Sequence, residues 1–228
     1  MTRSSDTVAG RIETAALACI LALAVLGLAL LPLTTSWYVR AMVRHVDSAE
    51  LTGLSPEATV QTAEHVRRFV VSSSAPPLPA EIQGVSAYDE AAVDHLLDVR
   101  AVLVPARWLA LALGGLWGLW ASVRLRTASA RMRVRASLRL GGAVLVVAPA
   151  LVMLAGLADF DVLFARFHDL FFAPGTWMFP ADALLIRVFP TAFWVASGAV
   201  WGLLVVVCGA ACVVLARRMR FTAGNNGV

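Results

Sequence analysis

Long uncharged runs alternate along the chain with segments in which charged residues recur every few positions. The uncharged stretches fall at 14–39, 108–123, 140–158 and 188–216. A helix needs roughly 20 predominantly apolar residues to cross the hydrocarbon core of a bilayer. Three stretches meet that length outright. The second becomes long enough when Val102, Leu103, Val104 and Pro105 are added and Arg107 snorkels to the interface, which predicts a span over 102–123. Prolines at 32, 105 and 149 are expected to kink these helices rather than end them, because neighbouring helices can satisfy the freed backbone groups. The pattern predicts an all-α polytopic membrane protein with four transmembrane helices, at 14–39, 102–123, 140–158 and 188–216. The segments 40–101 and 159–187 then form an outer helical cap.

Composition agrees with that class. Hydrophobic residues make up 59% of the 228 and charged residues only 15%, more apolar surface than one water-soluble core of this size needs. The net charge of +4 raises nucleic acid as a partner, but the arginines flank the apolar runs and read as topology signals instead. Arg124, Arg126, Arg131, Arg133, Arg135 and Arg139 crowd the segment 124–139, and Arg217, Arg218 and Arg220 follow the last run. The positive-inside rule assigns both segments, and with them the termini 1–13 and 217–228, to the cytoplasm of a bacterial cell. Arg40 and Arg44 fall on the opposite side and are outweighed. The first run continues well past Cys19, beyond the 7–15 residues of a signal h-region, so it reads as an uncleaved span. Cys19, Cys208 and Cys212 all lie within predicted spans and are expected to be buried packing residues.

The outer segments carry the chemistry. Ser55-Pro56-Glu57 is a helix start with a cap, a proline at the first position and an early acid, predicting a helix over 56–71. The linker SSSAPPLP follows, and Ser86 with Asp89 resembles a capping box opening a second helix over 87–101 that runs into the second span. This helix carries Glu90, Asp94, His95 and Asp98. His45 and His65 sit among charged neighbours, as on a solvated surface. His95 and Asp98, three residues apart, share one helical face, where the carboxylate can fix the imidazole tautomer and raise its basicity. His168 lies with Asp169 in an aromatic stretch, ARFHDLFFAPGTWMF, whose Phe171, Phe172, Trp177 and Phe179 suit the headgroup level. A site shared by His95 and His168 stands beside a plainer reading, an interfacial turn whose polar residues face water.

DEAAVDHLLDVRAVL ahead of the second span and FHDLFFAPGTWMFPADALLIRVFPTAFW ahead of the fourth together resemble the Lit family, the lipoprotein intramolecular transacylases. The likeness extends to four spans, a large first outer loop and a short second one. It implies transfer of the sn-2 acyl chain of a diacylglyceryl-modified cysteine, at a lipoprotein's N-terminus, onto that cysteine's own α-amino group. The family's two essential histidines correspond by motif to His95 and His168. Asp98, Glu90 and Asp169 would support them, Phe171, Phe172, Trp177 and Trp194 would position the acyl chains unless they form an ordinary aromatic belt, and Asp182 would join them in binding the substrate. Partners are then a diacylated lipoprotein and membrane lipids. An ester becomes an amide, which runs downhill, so no ATP, cofactor or metal is called for.

One substrate carries both nucleophile and electrophile, so holding it folded lowers the barrier by proximity. A histidine with an ordinary pKa of about 6.5 can take a proton from an amine or return one to an alkoxide near neutral pH. The first assignment makes His95, oriented by Asp98, the base and gives His168 the oxyanion and the leaving alkoxide. The reverse is equally open. Two rivals stand beside it. One is an acyl or head-group transferase acting on another lipid; the other is a non-enzymatic outer-face lipid or peptide binding module whose histidines sense pH or, with Asp98, hold a metal.

Overall fold

The computed structural model describes residues 2–74, 77–125 and 127–219. Ala75 and Pro76 of the expected linker, Arg126 of the arginine cluster and the tail from 220 onward lie outside the described residues.

Three helical stretches are long and apolar enough to cross a membrane: Val8–Thr34, Ser129–Ala158 and Thr191–Arg218. The expected second span is not among them. It forms part of a helix of 35 residues, Glu90–Arg124, whose uncharged part, 108–123, falls short of the roughly 20 residues a crossing needs.

The chain divides into two compact units. The first comprises Met1–Leu26, Ala110–Ala150 and Leu203–Val228. It holds most of α1 (Thr2–Leu28), the ends of α5 (Glu90–Arg124) and α9 (Thr191–Arg218), and the start of α6 (Ala128–Ala158). α6 opens at Ala128, so most of the expected arginine-rich loop is helix instead. Leu21, Ala121, Val134, Leu138 and Ala216 form a buried cluster, and Arg133 pairs with Glu13 at 2.7 Å. Glycines let two backbones meet, since a Cβ on Gly142 would stand 2.7 Å from the Gly209 carbonyl oxygen, the small-residue packing that membrane helices use. Large apolar side chains such as Leu116, Leu119, Val144 and Val207 are exposed, as expected where the surrounding medium is lipid rather than water. Cys19 and Cys208 are exposed too and Cys212 is half-buried. The expectation of buried packing thiols is therefore corrected: an apolar run fixes that a helix meets hydrocarbon, not which of its faces meets protein.

The second unit comprises Gly27–Leu109 and Leu151–Gly202. α1 ends at Leu28, and a single 3-10 turn follows at Pro32–Thr34. Pro32 has no N–H to give the Leu28 carbonyl, so here proline ends the helix rather than kinking it. Leu31 N donates to that carbonyl instead, at 3.1 Å. Pro105 and Pro149, by contrast, lie inside α5 and α6. Three short helices come next: α2 (Ser36–His45), α3 (Ser48–Thr52) and α4 (Pro56–Val71). Thr35 caps α2, and Ser55 caps α4 by accepting from Ala58 N at 3.2 Å. Gly53, at φ 68°, closes α3 in the left-handed conformation that favours glycine.

Val39, Val43, Val60, Ala63, Val66 and Phe69 join Leu184, Leu185 and Val188 of α8 (Leu184–Val188) and Phe193 of α9 in one buried core. Several of its polar groups are tied internally. Ser48 donates to the Val188 carbonyl at 3.0 Å, Thr52 and Thr59 hydroxyls meet at 2.8 Å, and Tyr38 donates to Ser197 Oγ at 2.9 Å. Buried Glu64 takes Arg67 at 2.6 Å and Arg68 at 3.2 Å, with Arg40 at 3.9 Å. Arg40 also donates to Ser36 Oγ at 3.0 Å. A two-residue hairpin joins β1 (Glu81–Ile82) to β2 (Val85–Ser86), with Ile82 opposite Val85. Gln83 and Gly84 both take positive φ, as a type I′ turn requires.

Candidate functional site

α5 begins three residues later than the expected capping box implies. Ser86 ends a strand, and Asp89 is the cap, its Oδ1 accepting from Ala92 N at 2.8 Å. A strand competes for Ser86, whereas Asp89 stands free of the hairpin to take an orphan helix N–H. His95 follows on the second turn. The expected aromatic loop is partly helical: α7 (Phe160–Phe171) is capped by Asp159, which accepts from Val162 N at 3.0 Å. His168 sits in its last turn. Beyond it Ala173-Pro174-Gly175-Thr176 makes a type II turn, with Gly175 at φ 85° and Thr176 N donating to the Ala173 carbonyl at 3.2 Å.

The two histidine rings lie 6.2 Å apart between centroids, and each residue is only 8% exposed. Phe172 stands edge-on to His95 at 5.0 Å and also reaches His168 at 5.6 Å. Phe179 lies 5.5 Å from His95, while Phe164 at 4.0 Å and Trp177 at 4.8 Å pack on His168. A buried pair of titratable rings therefore sits inside an aromatic shell.

The two imidazoles are held differently. His168 Nδ1 lies 2.8 Å from the Phe164 carbonyl oxygen. A carbonyl can only accept, so Nδ1 carries the proton, and a neutral His168 keeps its lone pair on Nε2. His95 Nδ1 is buried with no hydrogen-bond partner among the described residues. Asp98 therefore does not fix the His95 tautomer. It is exposed, on the outer surface of α5, where solvation serves a carboxylate better than the aromatic shell would.

Burial pushes both imidazoles below the ordinary histidine value. For His95, a charge on His168 pushes in the same direction and Asp98 pulls partly back. For His168, the hydrogen bond to Phe164 and the charge of Asp169 oppose burial. Both rings are thus neutral at pH 7, and the pair takes up its first proton with difficulty.

Asp94, Asp98, Gly175, Thr176, Met178 and Phe179 line a cavity of about 470 Å³ whose wall is the helix bearing His95. Two carboxylates in its lining suit a cationic group, and Phe179, which packs on His95, links it to the histidines, neither of which lines it. The other expected site residues are dispersed. Asp169 is exposed and acts on His168 through its charge. Glu90 and Asp182 are exposed and do not line the cavity. Phe171 is exposed and packs on Phe167 at 5.1 Å. Trp194 lies 6.0 Å from Phe164 and spends its indole N–H on the Phe189 carbonyl at 3.0 Å. Among the described residues, no three His, Cys, Asp or Glu side chains converge to hold a metal ion.

Sequence reasoning missed Phe164, Asp94 and Thr176 as site residues and placed Phe179 only at the headgroup level. Phe164 was within reach, because it lies four residues before His168 and faces it once that stretch is helical.

The family model for lipoprotein intramolecular transacylase Lit matches residues 15–194. Among solved structures, the chain resembles the membrane-integral lipoprotein intramolecular transacylase Lit of Bacillus cereus at 16% identity. That match covers 92% of this chain and 95% of the other, with a TM-score of 0.79. A form of that protein with one histidine replaced by arginine matches at 15% identity and a TM-score of 0.72, covering 95% of this chain and 94% of the other. No curated protein matches the chain closely in sequence. At these identities the structures speak for the fold. The family model covers well over half of the chain, and by it this membrane protein belongs to the Lit family of lipoprotein intramolecular transacylases.

Proposed function

We propose that this protein moves the sn-2 acyl chain of a diacylglyceryl-cysteine lipoprotein onto that cysteine's own α-amino group, at the outer face of a bacterial cytoplasmic membrane. The observation that carries the reading is the buried pair His95 and His168, with one imidazole tethered so that its Nε2 lone pair is free. In this reading α5 supplies a fourth crossing: its exposed Trp108, Leu109, Leu116 and Leu119 suit a lipid-facing helix, and Arg107 lies over the Trp108 ring at the interface end. Both termini and the arginine cluster are then cytoplasmic.

The chemistry divides between the two rings. The substrate's ammonium group is drawn to the cavity lined by Asp94 and Asp98, where it gives one proton to water and becomes a free amine. As its nitrogen bonds to the sn-2 ester carbonyl carbon, His168 Nε2 takes the proton the nitrogen sheds. The tetrahedral intermediate then breaks its bond to the glyceryl oxygen, which receives one proton from the histidine pair. From the free amine, the products are an amide and a free hydroxyl with no net change in protons; counted from the ammonium, one proton has gone to water. This reverses the first assignment from sequence, because Asp98 holds no ring nitrogen and the Phe164 carbonyl does. Neutral rings in a dry shell suit the task, since a base must be unprotonated to act.

The test is mass spectrometry of a reporter lipoprotein's N-terminal lipopeptide, in bacteria lacking other N-acylating enzymes. Wild type is expected to give N-acylated, mono-O-acylated cysteine, while His95→Ala and His168→Ala leave the diacyl form with a free amine. A free amine in the wild-type sample, with the protein present in the membrane, would overturn the reading.

A further inference from the structure

We infer that the indole N–H of Trp177 is a hydrogen-bond donor to the oxyanion that forms during acyl transfer. This rests on the proposed function and gives one residue of the aromatic shell a polar task.

The two tryptophans near the histidines differ in one respect. Trp194 donates its N–H to the Phe189 carbonyl. Trp177 Nε1 is sealed from solvent and has no acceptor among the described residues. Leaving a buried donor unmet costs about 1–3 kcal/mol, and such groups in a folded protein call for a reason. An unmet indole is not by itself a site, since Trp117 carries one as well. The neighbour of Trp177 sets it apart: its ring lies 4.8 Å from His168, tilted by 35°.

Reaction geometry puts the oxyanion about as far from the imidazole as the indole ring stands. The attacking nitrogen stands about 2.9 Å from His168 Nε2, and one C–N and one C–O bond, each about 1.2–1.5 Å, lead from it to the oxyanion. The negative oxygen thus forms roughly 4–5 Å from the imidazole, about as far as the indole lies. The ground-state ester is a weak acceptor and the alkoxide-like oxygen a strong one, so a donor waiting unpaired favours the transition state selectively. The chain fixes its place. The Pro174-Gly175 turn, which needs a positive φ at Gly175, carries Thr176 to the cavity wall and Trp177 onto His168 one residue later.

The experiment compares purified wild type with Trp177→Phe, and with a form carrying β-(benzothien-3-yl)alanine at 177, which keeps the indole shape and replaces N–H with sulfur. Each is reconstituted in phosphatidylglycerol vesicles with a synthetic diacylglyceryl-cysteine lipopeptide, and kcat and KM are measured separately, with His168→Gln as the inactive reference. Both forms lacking the N–H are expected to lose about 10²–10³-fold in kcat with KM within threefold of wild type, and Trp177→His, which restores a donor, to recover part of the loss. Benzothienylalanine activity within threefold of wild type would overturn the inference and leave Trp177 a packing residue, whatever Trp177→Phe does. Failure of wild type to transfer acyl groups would instead overturn the proposed function, and this inference with it.

Discussion

The second unit buries ionisable side chains at two places and treats them in opposite ways. Glu64, 3% exposed, is met by Arg67 and Arg68, with Arg40 close by, and Arg67 also donates to the Thr34 carbonyl at 3.2 Å. Chiefly through its hydrogen bond to Arg67, the carboxyl is held at about 2. Every demand of that charge is answered from within the protein, so nothing remains to offer a substrate. At His95 and His168 the demands are left open: one ring nitrogen is tethered, another is buried without a partner, and a neighbouring indole N–H is unmet. Burial with full pairing holds a fold together, whereas burial with groups unpaired costs stability and leaves them ready for chemistry.

The contrast breaks most sharply at His168. His168→Gln should lower acyl transfer by about 10³-fold or more, while its thermal unfolding midpoint in detergent stays at or above that of wild type. A large fall in that midpoint would make the ring structural. Glu64→Gln should do the reverse. Removing one partner of a buried ion pair costs on the order of 3 kcal/mol, read as a lowered unfolding midpoint, with kcat per folded molecule unchanged.

Acid separates the two places further. Glu64 is depressed in the folded protein, so its contribution to stability is complete above the ordinary carboxyl value of 4.5 and is lost only as pH falls toward about 2. The histidines are depressed as well, and their contribution is complete above 6.5 and is lost as pH falls through their lower folded values. Activity should therefore have an acid limb below pH 6.5, in a range where Glu64 stays ionised and circular dichroism shows the helices intact. NMR titration of either imidazole with a midpoint above 6.5 would contradict neutral buried rings.

The smallest effects refine the electrostatics of the pair. His168→Ala should raise the His95 pKa, because a like charge is removed. Asp169→Asn should move the acid limb to lower pH, because the carboxylate that supports protonated His168 is lost. NMR titration of the imidazole carbons checks the first and the pH–rate profile the second.

Much of this was legible in the chain, by mechanisms that differ. Uncharged runs predict helices because an unpaired backbone cannot be left in hydrocarbon, and Ser55-Pro56 marks the start of α4 because cap and proline act locally. What was not legible depends on partners distant in sequence or on competition between neighbours. Pro32 ends α1 where it was expected to bend it, since the Leu28 carbonyl is met three residues on, by Leu31 N, in a tighter turn. Ser86 joined a strand, leaving the cap to Asp89. Helical spacing suggests a pairing of Asp98 with His95, yet spacing cannot tell that Asp98 stays at the exposed surface and leaves His95 Nδ1 without a partner among the described residues. Phe164 itself becomes visible only once 160–171 is read as a helix rather than as an aromatic loop.

If the histidine pair acts as proposed, one lipoprotein molecule both donates and receives the acyl chain. Transfer within one molecule is tested most directly with purified protein in vesicles containing an equimolar mixture of two lipopeptides of different sequence, one with an isotopically labelled sn-2 chain. Mass spectrometry should find the label on the α-amino nitrogen of the peptide that first carried it, and nowhere else. Label on the nitrogen of the other peptide, or no N-acylation in either, would contradict it.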